Sequence, residues 1–227
     1  LLRKDPYAIG ALPDGIKPDV KTIKTDEESF LPADLSLQQA FRTRSFWVVI
    51  FIWVLMAFCV LLVLTHVVPH TTDIGFSDGQ AAAVFSLIGG TRAAGMVLMG
   101  GVADRIGRKK TTIICSLFQA GSMMWLLWAQ DLWMLYMFAL VYGFTGGGLL
   151  SGITALIGDS FGSANIGKVL GVLDIGWAIG AASGPFIGGL IFDVFSSYSV
   201  AFFIGAAAML IATLLLASIR QETNRHF

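Results

Sequence analysis

The sequence predicts an all-α integral membrane protein, six transmembrane helices arranged as two inverted three-helix repeats. Three observations carry this. The 227 residues are 56% apolar and only 13% charged, about half the charged fraction usual in a soluble domain. Mean hydropathy is +0.75, and the apolar residues fall in blocks of roughly 20, the length that crosses a bilayer. All lysines and arginines but Arg92 are confined to the two chain ends and to alternate connections between those blocks. Formal net charge is zero, from 15 basic and 15 acidic side chains, so no overall charge draws the chain to nucleic acid.

Residues 1–44 are polar, with Pro6, Pro13, Pro18, Pro32 and the acidic run Asp26-Glu27-Glu28. No helical period is sustained there, which predicts an irregular cytoplasmic linker. The chain opens on this segment without Met or a signal-peptide pattern, as expected of a sequence that continues something upstream. The bundle is expected over 45–219, with a cytoplasmic tail at 220–227. Its spans are predicted at Phe46–Val68, Gly79–Ala103, Thr111–Trp128, Leu132–Gly158, Val169–Phe192 and Val200–Ile219. Helix is the conformation expected of each, because an isolated span must satisfy its own backbone hydrogen bonds in lipid. The long fourth span, with Gly146-Gly147-Gly148 at its middle, is expected to tilt or bend.

Charge fixes the orientation. Arg3, Lys4, Lys17, Lys21, Lys24, Arg42 and Arg44 precede the first span; Arg105, Arg108, Lys109 and Lys110 follow the second. Lys168 follows the fourth, and Arg220 and Arg225 follow the sixth. All lie on one side, Arg92 alone sits inside a span, and the three opposite loops have none. The positive-inside rule then places both chain ends in the cytoplasm of a multi-pass plasma (inner) membrane protein. Trp125, Trp128, Trp133 and Tyr136 surround the short turn at Asp131, as in an aromatic belt at the outer interface. Cys59 and Cys115 lie inside apolar blocks and read as reduced core thiols.

Once the topology is set, an internal repeat shows. "GGVAD" (Gly100–Asp104) ends the second span and "GLIFD" (Gly189–Asp193) ends the fifth. Both contain G-x-x-x-D at the same place in a three-helix unit, on opposite sides of the membrane. Only the first copy continues into cations.

Gly100-x-x-x-Asp104-Arg105-x-Gly107-Arg108-Lys109-Lys110 closely resembles the signature loop of the major facilitator superfamily of transporters. "GAASGPFIGG" (Gly180–Gly189) is similar to that family's G-x-x-x-G-P-x-x-G-G helix pattern. "LRKDPYAIGALPDG" (Leu2–Gly15) and "LSLQQAFRTRSFW" (Leu35–Trp47) resemble its central cytoplasmic loop leading into the seventh helix. "THVVPHTTDIGFS" (Thr65–Ser77) is similar to the outer end of that helix in the oxalate/formate and monocarboxylate branch. The resemblance covers the whole chain as the C-terminal half of a twelve-helix protein. It implies a missing N-terminal six-helix half as partner, beside the lipid bilayer and a small-molecule substrate. Inverted repeats of this kind build secondary transporters.

Each candidate residue carries two readings. The cations of the loop and the permissive Gly107 anchor topology. Asp104 either belongs to that anchor or, as the resemblance implies, latches one access state against a helix N-terminus or arginine of the other half, worth about 0.3–1 kcal/mol. Gly100, Arg105 and Arg108 complete that latch loop. Gly176, Gly180, Gly184 and Gly188 recur every four residues, either as static close packing or as a surface on which bundles slide; Pro185 among them predicts a kink. Arg92 lies about 18 Å along the helix from Asp104, near mid-bilayer, where a charge costs about 2.5–3.5 kcal/mol on insertion scales. It either binds a substrate carboxylate bidentately or pairs with Asp174, which lies roughly 9 Å in from Lys168. Asp174 either takes up the coupling proton or stays ionised in a gate. Trp177 and Trp53 either line the cavity or pack in the core. Thr145 and the triple glycine are cavity candidates by resemblance. His66, His70 and Asp73 have ligand-like spacing, but Pro69 at the expected helix end argues against a metal site.

No nucleophile–base pair, phosphate loop or cysteine cluster is present in the sequence, so neither an enzyme nor a cofactor is expected. The reading is a secondary active transporter for a small organic anion, proton-coupled or exchanging. The rivals are multidrug or other solute efflux on the same scaffold, and a non-transporting receptor or assembly subunit.

Overall fold

The computed structural model describes residues 42–161 and 166–218. The predicted linker up to residue 41 and the predicted tail lie outside the described residues.

Six helices follow one another: α1 (Arg44–Asp73), α2 (Asp78–Ile106), α3 (Arg108–Trp125), α4 (Leu132–Phe161), α5 (Ile166–Phe195) and α6 (Ser199–Ser218). Their ends are set by local chemistry. Thr43 Oγ1 accepts the Phe46 N–H at 3.3 Å to start α1. Ser77 and Gln80 form a reciprocal capping box at the start of α2, satisfying two otherwise orphan N–H groups. Gly107, at φ +98°, ends α2 and begins α3; a side chain there would be strained.

Several boundaries differ from expectation. The first helix was expected to stop near Pro69 but runs one turn further. The proline removes a single helical donor, while Thr71 Oγ1 donates to the Val67 carbonyl at 2.7 Å and Thr72 Oγ1 to the Pro69 carbonyl at 2.9 Å. The third helix starts at Arg108 and stops at Trp125, because Leu127 and Trp128 bond three residues back in a tightening turn. The fourth helix continues through Gly146-Gly147-Gly148, and the fifth through Pro185.

Among the described residues, five helices are long and apolar enough to cross a membrane; α3 is not. Its 18 residues reverse the soluble pattern. Thr111, Thr112, Ser116, Gln119 and Ser122 are buried, while Ile114, Leu117 and Phe118 face outward. Those polar groups bond within the bundle. Gln119 Nε2 donates to the Tyr142 carbonyl of α4 at 2.9 Å, and Thr213 of α6 donates to Ser116 at 2.9 Å. Lipid offers no such partners, so the polar side of α3 turns inward.

The most extensive packing is α2 on α4 and α1 on α5, then α3 on α4 and on α6, and α1 on α6. Exchanging α1 with α4, α2 with α5 and α3 with α6 maps this pattern onto itself. The first helix of each repeat therefore packs on the second helix of the other. Gly100–Asp104 and Gly189–Asp193 both lie in the last turns of their helices, α2 and α5. These helix ends lie at opposite ends of the bundle. The end holding the α2–α3 turn, here the basic end, carries Arg42, Arg44, Arg105, Arg108, Lys109, Lys110 and Lys168. The other end carries Asp73, Asp78, Asp131 and Asp193 and, among the described residues, no lysine or arginine.

Candidate functional site

Glycine contacts determine where α2 and α4 cross. A Cβ on Gly147 would fall on the Arg92 carbonyl, one on Gly143 on Thr91, and one on Gly95 on the Phe144 carbonyl. The crossing is thus a backbone-to-backbone approach centred on Arg92. Arg92 stands midway along α2, fourteen residues from each end (78 to 92, 92 to 106). Its side chain is half-buried and, among the described residues, has neither a hydrogen-bond nor an ion-pair partner; the structural pair with Asp174 is absent. Tyr142 of α4 precedes Gly143 at this crossing. Tyr142 is fully buried, stacked on Phe138 at 5.1 Å between centroids, and its hydroxyl points to the Cys59 carbonyl of α1 at 3.5 Å. Sequence reasoning missed Tyr142, whose position depends on how α4 rotates. Gly143 and Gly147 were findable, because their four-residue spacing is the close-packing signature.

Trp53 and Trp177 pair across α1 and α5, with centroids 5.5 Å apart. Trp53 is 5% exposed, and its Nε1 is buried without a hydrogen-bond partner. Asp174 is exposed, one turn before Trp177 on α5. No hydrogen bond, ring contact or ion pair joins this set to Arg92. Thr145, expected in the central cavity, is buried and donates to the Val141 carbonyl at 2.6 Å. It borders an apolar groove lined by α2, α3 and α4, with Thr91, Met99, Cys115 and Phe118. The triple glycine divides its contacts: Gly146 meets Gln119, Gly147 meets α2, and Gly148 meets Met99 and Cys115. Successive helical residues face 100° apart, so three adjacent glycines let α4 sit close to α2 and α3 at once.

The second glycine row faces the bundle's own α1. Gly176 meets Val54 and Ile50, Gly180 the Val54 carbonyl, Gly184 the Phe58 carbonyl, and Gly188 the His66 ring. The row thus packs closely within one bundle, the static reading of its spacing. At the basic turn, Lys109 Nζ donates to the Ala217 carbonyl at 2.8 Å, capping the end of α6. Asp104, Arg105 and Gly107 are exposed, and Arg108 and Gly100 half-exposed. At the other end Trp125 packs edge-on to Trp133, and its Nε1 donates to the Met134 carbonyl at 3.1 Å. Cys59 and Cys115 are free and buried. His66 Nε2 lies 3.0 Å from the Pro185 carbonyl, and no three metal-ligating groups converge among the described residues.

Two inverted, interleaved three-helix repeats, with an arginine midway along one long apolar helix, define a half of a transporter-type bundle. The sequence profile of the Major Facilitator Superfamily matches residues 67–226, and the chain belongs to that family. Monocarboxylate transporter 12 of Mus musculus is 27% identical over 198 residues, 85% of this chain and 41% of that protein. Multidrug resistance protein MdtG of Citrobacter koseri is 33% identical over 139 residues, 61% of this chain and 34% of that protein. The crystal structure of the peptide transporter POT in complex with sulfate matches with a TM-score of 0.71 at 15% identity, covering 82% of this chain and 39% of that one; this likeness concerns the fold alone. The chain thus spans about two fifths of the length of such relatives.

Proposed function

We propose that this chain is the C-terminal half of a secondary active transporter for a small organic anion, a mono- or dicarboxylate. The observation that carries the reading is Arg92, a half-buried guanidinium at the middle of a membrane helix with, among the described residues, no carboxylate to neutralise it. A charge in that position ordinarily faces a polar pathway, and a guanidinium offers the fork that matches a carboxylate. Similarity to the monocarboxylate transporters points the same way.

The partner half would pack on α2 and α5. These are the least buried of the spans, with 17% of each apolar window inside the bundle. Asp104 lies exposed at the edge of that open face and is free to meet a helix end of the partner as a latch. Substrate would bind between the halves and rocking would alternate access, with the basic end in the cytoplasm of the plasma membrane. Asp174, exposed on α5, is the candidate for taking up a coupling proton; exchange without a proton is the other mode.

Similarity to MdtG supports a second reading, multidrug or other solute efflux. Thermal stabilisation of the purified full-length protein separates the two. Small carboxylates are expected to raise Tm in the wild type and not in Arg92→Gln. Stabilisation by apolar drugs alone, unchanged in Arg92→Gln, would favour efflux.

A further inference from the structure

At the end of the bundle away from the basic turn, two histidines are buried side by side on α1. His66 and His70 are each 7% exposed. His66 Nε2 donates to the Pro185 carbonyl at 3.0 Å, and its ring lies 4.9 Å from that of Tyr198. Gly188 beneath it leaves no room for a Cβ. His70 stands edge-on to Tyr198 at 6.2 Å and to Phe202 at 5.1 Å, and its Nε2 is buried with no hydrogen-bond partner. Tyr198 in turn stacks on Phe192 at 4.4 Å. Two imidazoles thereby tie α1 to α5 on one side and to α6 on the other.

We infer that this cluster is a proton-responsive latch, closed while His70 is neutral and loosened when His70 takes up a proton. The two histidines differ in what protonation does to them. His66 already donates from Nε2 to a carbonyl, and an imidazolium keeps and strengthens that bond. His70 would gain a second N–H donor and a full charge where its Nε2 meets no acceptor, and an unpaired buried charge is far more costly than a neutral ring.

The surroundings say where a protonated His70 goes. On α1, Asp73 is exposed one turn beyond it. The end of α5 contributes Asp193, the start of α2 contributes Asp78, both exposed, and α6 carries no charged side chain. Tyr198 stays neutral, because burial and the Asp73 and Asp193 carboxylates push its phenol above the ordinary range. The compensating charge for His70 is therefore Asp73, on the same face at i+3. Reaching it withdraws His70 from Tyr198 and Phe202 and opens the α1–α6 contact, while His66 holds α1 to α5. The closed state binds fewer protons, so it weakens as pH falls through the range where imidazoles titrate. The latch rests on the bundle alone and does not depend on which solute is carried.

Hydrogen exchange of the full-length protein in nanodiscs tests this at about pH 8 and about pH 5, with intrinsic rates corrected. Protection around His70–Ile74 and Phe202 is expected to fall roughly tenfold at the lower pH, while the α2–α3 turn is unchanged. His70→Phe keeps an aromatic ring and cannot titrate; His70→Gln covers the case in which Phe does not fit. Both are expected to show equal protection at the two pH values, and His226→Gln to behave as wild type. Equal wild-type protection at both pH values would overturn the latch, as would a wild-type response in both His70 variants.

Discussion

Arg92 is positioned by backbone contacts and, among the described residues, by no partner side chain. The glycines opposite it, Gly143 and Gly147, bring α4 against the Thr91–Arg92 turn of α2, which fixes the height of the guanidinium. Gly147→Ala is therefore expected to destabilise the protein by about 1–3 kcal/mol, the usual range for overpacking. Gly180→Ala should do the same at the α1–α5 crossing. Gly189→Ala, where a Cβ meets open space, should leave the thermal unfolding midpoint unchanged. Arg92 was legible in the sequence because a lone cation in an apolar block stands out. Thr145 entered by family position, which gives no rotation about the helix axis; its hydroxyl bonds its own helix.

The helix that departs furthest from a simple reading is α3. Its polar residues lower its hydropathy, and its Lys109 was assigned to topology alone. Lys109 has a second role, donating to the Ala217 carbonyl of α6. The hydroxyl pair Ser116–Thr213 joins the same two helices at their buried faces. A double-mutant cycle with Ser116→Ala and Thr213→Ala, read by unfolding in detergent, should give a coupling of about 0.6 kcal/mol, the average for hydrogen bonds between membrane helices. Helix positions were readable from hydropathy to within a few residues. Their ends were less so, because Thr71 and Thr72 carry α1 past Pro69 by side-chain bonds that hydropathy does not register.

Across the whole bundle, the repeat was visible in two short motifs, Gly100–Asp104 and Gly189–Asp193, but the interleaving was not. It depends on which helix faces meet, and the glycine rows of α4 and α5 decide that by admitting α2 and α1 closely. The result is a half-bundle in which α2 and α5 are the least buried spans, with a cation midway along α2. Counterflow of a labelled small monocarboxylate, in proteoliposomes holding the full-length protein, tests this account most directly. Arg92→Gln is expected to slow exchange roughly tenfold to a hundredfold, corresponding to the about 1.5–3 kcal/mol of a hydrogen bond to a charged group. Arg92→Lys should retain part of the rate. Wild-type exchange in a properly folded Arg92→Gln protein would contradict the assignment of the anion site.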